Sequence, residues 1–413
     1  MSIVRNENLA DAGRLKIDWA RSYMPVLKEI EKDFKKEKSF QGMSIAMSIH
    51  LEAKTANLAL TLREGGADVR VTGCNVLSTQ DDVCAGLASH GIEVFAWRGA
   101  TQEEYESHLI ETLKGHPHLI LDDGGDLMSL IHGDYAGLGD RLIGGTEETT
   151  TGVHRLRLRE KSGQLRFPMI AVNDANCKHL FDNRYGTGQS TWSAILHTTN
   201  LLIAGKHVVV AGFGWCGRGI AMRAKSLGAR VIVTEVDPVK ALEAYMEGYD
   251  VMSMDEAAAI GDIFITVSGV TDIITGRHMK KMKDGAVLCN AGHFDKEISK
   301  PDLEALSDEV CVRRPEIAGY RMRGDGRWLN LIAEGRLVNI AADNGHPIEI
   351  MDLSFGVQAQ ALKYMAQHGK ELKPQVYPAP AEIDEAVASF KLKSLGISIS
   401  KLTDEQKLYI ETF

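Results

Sequence analysis

A chain of 413 residues with 44% hydrophobic and 25% charged side chains has the composition of a globular protein long enough for two or three domains. Its formal net charge of −9 excludes the basic surface that nucleic acid or an anionic membrane calls for, and favours a small-molecule substrate. Six cysteines without a C-x-x-C pair signal neither a structural zinc nor a redox dithiol, so no metal site is expected and reduced cytoplasmic thiols are the default.

In chain order, the start lacks an apolar signal core, and the most apolar stretch, residues 201–213, is interrupted by Lys206 and His207, so no membrane span is expected. Apolar residues at Ile17, Trp19, Met24, Leu27, Ile30 and Phe34 predict one surface helix over residues 17–34. Short apolar runs then alternate with helical stretches: SIAMSIH, a helix opening near Leu51, ADVRVTG, a helix over 81–89, EVFAW and LILDDGG. That alternation predicts βαβ units around a parallel sheet, whose ligands bind outside the carboxyl ends of the strands. His50, Gly73, Asn75, Asp122 and Asp123 stand at such ends. The glycine-rich, polar segment DNRYGTGQSTW predicts a linker to a second series through KHVVVAG, ARVIVTE, YDVMSM, DIFITVSG, AVLCNAG and EVCVRR. A long amphipathic helix is predicted from Pro347 toward Tyr364, able to carry the chain back to the first sheet, and SKLTDEQKLYIETF predicts a terminal docking helix.

The second series opens with G-x-G-x-x-G at Gly212, Gly214 and Gly217, directly after an apolar strand and at the start of a helix. The first glycine permits the tight turn, the second lets the backbone approach a pyrophosphate, and the third lets helix and strand pack closely. Glu235 lies 23 residues beyond Gly212 at the end of the next strand, where a carboxylate accepts from the ribose hydroxyls of NAD and repels the 2′-phosphate of NADP. The expected fold is α/β: two doubly wound parallel-sheet domains, the second a Rossmann NAD-binding domain, with a C-terminal helical tail.

Polar clusters crowd the first half: His50 with Glu52 and Lys54; Asp122, Asp123 and Asp126; Glu147 and Glu148 before Thr149, Thr150 and Thr151; Lys178 with Asp182 and Asn183. Each has a plain structural explanation. Lys178 and Asp182, four apart, make an ordinary helical ion pair; EETTT caps a helix; DDGGD makes a turn; Lys54 begins a solvated helix face. With NAD nearby a sharper function appears, because oxidising a sugar hydroxyl requires a base for its proton and acceptors for the neighbouring hydroxyl. His293 and His346 stand in glycine-rich loops of the cofactor region.

The strings DDGGDL, EETTTGVHRL, NDANCKHLFDNRYGTGQS, VVVAGFGWCGRG, TEVDP, NAGHFD, AEGRLVN and GHP, in that order, resemble the S-adenosylhomocysteine hydrolase family from about Trp19 to Tyr409. The resemblance implies tightly held NAD, a closing cleft and a homotetramer. It also implies a reaction in which the ribose 3′-hydroxyl is oxidised, the acidified C4′ proton is lost with the homocysteine thiolate, water adds, and the ketone is reduced again. It places a substrate-binding domain at residues 1–184, completed by about 350–390, the Rossmann domain at 185–349, and a tail at 391–413 at a subunit interface. By resemblance Lys178 and Asp182 serve the 3′-hydroxyl step, Glu148 holds the ribose, and Asp123 with His50 moves protons near C4′ and C5′. His293 lies near the ribose, and His346 and Met351 near the base. Asn183 positions Lys178 and the cofactor, which Thr149, Thr150, Thr151, Asn339 and Glu235 also contact.

Two departures from the family pattern stand out. Glu52 and Lys54 occupy positions where many members have a threonine and a glutamate that read the adenine edge; a lysine donor suits the carbonyl of hypoxanthine, a glutamate acceptor the amino group of adenine. S-inosylhomocysteine therefore stands beside the adenosyl compound as a substrate, with adenine ahead. The family's tail continues past LTDEQKLYIETF with a lysine and a tyrosine that reach a neighbour's NAD, contacts that do not transfer to this sequence. The rival enzyme reading is an NAD-dependent hydroxy-acid dehydrogenase; the rival of another class is a silent NAD-bound regulator.

Overall fold

Sixteen strands build the computed structural model, which describes residues 2–412. They are β1 (Ile3–Val4), β2 (Ser44–Ser48), β3 (Asp68–Thr72), β4 (Glu93–Ala96), β5 (Leu119–Asp122), β6 (Gly144–Glu147), β7 (Met169–Ala171), β8 (His207–Ala211), β9 (Arg230–Thr234), β10 (Asp250–Val251), β11 (Ile263–Thr266), β12 (Ala286–Asn290), β13 (Ser307–Arg314), β14 (Ile317–Met322), β15 (Trp328–Ile332) and β16 (Val376–Pro378). Met1 and Phe413, the ends of the expected first domain and tail, lie outside the described residues.

The first sheet has the order β1-β4-β3-β2-β5-β6-β7-β16, with every pairing parallel. Strands β2, β5 and β6 are buried along their whole length, as fits strands covered by helices on both faces. The chain winds outward through β3 and β4, then returns across β2 to β5, so the order reverses between β2 and β5. The second sheet has the order β10-β9-β8-β11-β12-β15-β14-β13 and reverses in the same way between β8 and β11. In an open α/β sheet such a reversal leaves a crevice at the carboxyl ends of the two strands.

Four local expectations are corrected. The single helix over 17–34 is two, Ala10–Ser22 and Pro25–Glu37, because Pro25 suits a first helical turn and the Asp352 carboxylate accepts from the Val26 and Leu27 amides there. Ile17, Met24, Leu27, Ile30 and Phe34 are buried and Trp19 is 62% exposed, so this is core rather than a surface helix. The linker is helical throughout: a π-helix at His179–Gly186 runs into an α-helix at Thr187–Thr199. EVCVRR, read as one more parallel strand, lies in β13, which pairs antiparallel with β14 as an edge hairpin.

The helix Ile348–His368 does return to the first sheet. Its Leu353, Phe355, Val357 and Leu362 belong to the same core as Met24, Phe34 and Met47, together with Ile383 and Val387 of the following helix. The last helix, Asp404–Thr412, is exposed at every residue. No helix among the described residues is long and apolar enough to cross a membrane.

Candidate functional site

The two crevices face each other across one cleft of about 1380 Å³, lined from the first sheet by His50, Asp123 and Lys178 and from the second by Gly212, Asn339 and His346. A drug-sized ligand fills roughly 300–1,000 Å³, so the cleft has room for a dinucleotide and a second molecule.

On the first side Lys178, 6% exposed, ends a short helical turn just before the π-helix. The i→i+5 pattern widens the turn, so residues four and five positions on both flank the first. Asn183 Oδ1 accepts from Lys178 Nζ at 2.8 Å, while Asp182 Oδ2 and Glu148 Oε1 stand 3.5 Å away. Burial opposes the charge on Lys178, but Asp182 and Glu148 outweigh it and hold the ammonium above the usual lysine range. Burial would also raise Asp182; Lys178 and His346 keep it ionised, below the usual carboxylate range. Asp182 accepts from His346 Nδ1 at 2.8 Å and from the Ser354 hydroxyl at 2.6 Å. Glu148 is pushed up to about 7 by burial. Its Oε2 accepts from Gln358 at 2.6 Å, and its buried Oε1 has no hydrogen bond. That leaves an acceptor open beside a cation.

His50, Cys74 and Asp123 follow β2, β3 and β5, three neighbours in the sheet. His50 Nε2 lies 3.8 Å from Asp123 Oδ2, and its Nδ1 is 2.7 Å from the Ser78 hydroxyl. Burial pushes His50 down to about 4, so it is neutral near pH 7. The Asp122–Asp123 turn continues through Gly124 and Gly125 at φ 109° and 81°, where side chains are disfavoured. A Cβ on Gly124 would come within 3.0 Å of His293 Nε2, so the cofactor-side loop carrying His293 rests on this turn.

The second side presents the glycine-rich turn to the cleft. Gly212 sits at φ 113°, and a Cβ on Gly217 would lie 2.0 Å from the Gly212 carbonyl oxygen, so both glycines are required by the turn itself. A Cβ on Gly214 would meet no protein atom within 4 Å, so the space beside it is open to a pyrophosphate. Glu235 Oε2 accepts from the Phe213 amide at 2.6 Å, tying the acidic residue to the glycine loop. Asn339 donates to Ser190 and leaves its buried Oδ1 unpartnered at the cleft wall, an acceptor suited to a carboxamide. The residues present fit NAD.

Thr149, Thr150 and Thr151 reach the cleft from the opening of the helix Thr150–Lys161, and Asn173 links Thr150 to Asn183 at 3.0 and 3.2 Å. Met351 and Glu52 also line the cleft. Lys54 also lines the cleft and is not solvated: it is 5% exposed, and its ammonium donates to the Asn344 and His346 carbonyls, both at 2.9 Å, beside Glu52 at 3.2 Å. Sequence reading missed Ser78, Asn173, Thr187, Ser354 and Gln358. For the last two a signal existed, since they are polar residues four apart in the buried, otherwise apolar run LSFGVQA.

The models for S-adenosyl-L-homocysteine hydrolase and for its NAD-binding domain match residues 2–140 and 183–345. An adenosylhomocysteinase of Thermococcus kodakarensis is 56% identical over 410 residues, covering 99% of this chain and 97% of that one. An S-inosyl-L-homocysteine hydrolase of Methanocaldococcus jannaschii is 55% identical over 408 residues, covering 99% and 98%. Another of that name, from Methanopyrus kandleri, is 53% identical over 411 residues, covering 99% and 97%.

Proposed function

The chain belongs to the S-adenosyl-L-homocysteine hydrolase family, an NAD-binding enzyme family, and from that premise we propose that it reversibly hydrolyses S-adenosyl-L-homocysteine to adenosine and homocysteine through transient oxidation of the ribose 3′-hydroxyl. The observation that carries this reading is the buried ammonium of Lys178 between Glu148 and Asp182, facing the dinucleotide loop across one cleft. A hydroxy-acid dehydrogenase would instead need an arginine for a substrate carboxylate.

NAD, when bound, supplies a two-electron acceptor that is regenerated within each turnover. Lys178 neutralises negative charge developing on the 3′-oxygen, and Glu148, poised near neutrality, exchanges the proton through its open Oε1. Asp182 stays ionised and, with Asn183, fixes the ammonium. Neutral His50 offers its Nε2 lone pair beside Asp123 for the proton at C4′ and for the water that replaces the thiolate. The domain assignment proposed with this function puts the substrate on residues 1–184, completed from about 350–390, and the cofactor on 185–349, with the tail at an interface of a homotetramer.

The Glu52 and Lys54 pair gives a second reading, an inosyl substrate, and relatives of both names are similar to this chain to nearly the same degree. With Lys54 turned toward carbonyls, Glu52 is the group of the pair left to meet the base. A carboxylate accepts equally from the amino group of adenine and from N1–H of hypoxanthine, so it does not by itself separate them. The test is thiol release by the purified holoenzyme from each thioether, with absorbance of NADH followed in parallel. Thiol release over many turnovers without NADH build-up is expected, and the ratio of kcat/KM values names the base. Stoichiometric NADH build-up would refute the proposal in favour of a net dehydrogenase.

A further inference from the structure

Strand β13 is the last of the second sheet: β14 pairs with one of its edges, and among the described residues no strand pairs with the other. It is eight residues long, and an open edge of that length is a row of backbone donors and acceptors that soluble proteins cover or blunt. Its two faces differ. Val310 stands opposite Tyr320 and Val312 opposite Ala318, so both lie on the face that packs into the core with Tyr320, Leu329 and Leu331. At β13 the apolar row continues but its cover stops: Tyr320 is 7% exposed, Val310 54% and Val312 82%. The other face carries Glu309, Cys311 and Arg313, since Glu309 pairs with Arg321 at 3.2 Å and the Arg313 guanidinium lies 4.7 Å over the ring of Trp328, the residue opposite Arg321.

Charge is ordered along the strand, with acids at Asp308 and Glu309 and bases at Arg313 and Arg314. A parallel neighbour of the same sequence would set like charges side by side, whereas an antiparallel one sets acid against base. A two-fold axis normal to the sheet keeps each side chain on its own face, and directly opposed residues share a face, so the axis must fall at one residue and its own copy. Centred on Val310 it would oppose Asp308 to Val312, and centred on Val312 it would oppose Val310 to Arg314. Centred on Cys311 it opposes Val310 to Val312 on the core face and Glu309 to Arg313 on the other.

We propose that two copies of this chain associate in that last register, β13 against β13, so that their second sheets join into one. Register shifts between Ser307 and Glu309 and between Val312 and Arg314 leave the central residues Glu309–Val312 regular for the pairing. Exposed charge pairs add little strength and set the register; the valines and the backbone ladder hold the copies together. Arg314 donates to the Thr199 carbonyl at 3.3 Å, which brings Leu201 and Leu202, 40% and 75% exposed, beside the end of the strand as a further apolar shoulder. This contact adds to the tail interface proposed above and is independent of the reaction, so its failure would leave the hydrolase reading untouched.

The experiment uses the NAD-loaded full chain. Opposed Cα atoms of an antiparallel pair stand about 4.5–5.5 Å apart, so a short bis-maleimide should join Cys311 of two copies into a covalent dimer, and Cys311→Ser should abolish that product. In sedimentation equilibrium Val312→Lys should show half the mass of the parent, or a dissociation constant at least tenfold higher, with its far-ultraviolet circular dichroism unchanged because the side chain is exposed. Arg313→Glu should weaken association likewise, and adding Glu309→Arg to it should restore association, an outcome that requires the two residues to face each other across the axis. A monomeric parent, a missing cross-link, a cross-link that survives Cys311→Ser, or an unchanged mass and dissociation constant for Val312→Lys would overturn the pairing. A double variant no tighter than Arg313→Glu would overturn the register.

Discussion

Single side chains in this cleft are tuned by burial more than by their identity. Lys178 stays charged at 6% exposure because two carboxylates answer it, and removing it leaves Glu148 and Asp182 facing each other without a cation. Lys178→Ala is expected to lower turnover by about 10²–10⁴ while NAD remains bound, since the glycine loop is untouched; rate and cofactor content measured on one preparation check both halves. Gly214→Ala tests the other side. Its Cβ would meet no protein atom, so the melting temperature of the NAD-free chain should be unchanged, whereas NAD retention should fall at least tenfold as the methyl occupies the pyrophosphate's approach. A third expectation concerns Asp122, pushed up to about 7 chiefly by burial. Unfolded, it titrates near its ordinary value, so between about pH 4 and 7 the folded state holds a proton that the unfolded state has lost, and stability falls as pH rises through that window. His50, pushed down to about 4, acts in the opposite sense over much of the same range, so a difference measurement isolates Asp122. In Asp122→Asn the unfolding free energy should fall less steeply with pH than in the parent, by up to one proton, and parallel slopes would refute the assignment.

At the scale of elements, the π-helix His179–Gly186 converts a polar stretch of sequence into a site. An α-helix would swing Asn183 away from Lys178; the wider turn brings both Asp182 and Asn183 to it. The segment is held by backbone contact with the cofactor helix Trp215–Ser226, for a Cβ on Gly219 would lie 1.7 Å from the Arg184 carbonyl oxygen. Gly219→Ala should therefore cost about 1–3 kcal/mol of stability, the usual range for overpacking, and should lower activity as well by displacing Asp182 and Asn183. Denaturant unfolding and turnover of the same variant check this; unchanged values for both would mean that the two helices separate without consequence.

Across the whole molecule, one link between the two sides is local and polar. Lys54, in the helix Ala53–Glu64 that follows β2, holds the Asn344 and His346 carbonyls of the loop that leaves the second sheet, while His346 also bonds Asp182 and contacts Thr187 at 3.2 Å. Lys54→Met should raise KM about tenfold, the effect of roughly 1.4 kcal/mol lost from the assembled cleft, and should leave the adenosyl-to-inosyl ratio unchanged, because the ammonium addresses the loop rather than the base. A shifted ratio would restore lysine as a reader of the base. Composition, the glycine loop, the βα alternation and the ordered polar strings were all legible in sequence, because each depends on residues close together in the chain. DNRYGTGQSTW does connect the two sheets, but as helix rather than loop, because glycine and polar residues disfavour a helix only where nothing packs on them. Here Trp192, Ala194 and Ile195 are buried in the second core. Sequence by itself thus determined two α/β sheets, the dinucleotide loop and the family. Tertiary structure alone decided that Ser354 and Gln358 buttress Asp182 and Glu148 from a helix far along the chain, that Lys54 grips a loop, and that His50, Cys74 and Asp123 converge. Those contacts join residues dozens to hundreds of positions apart, and such distances are set by strand order and sheet reversal, not by spacing along the chain.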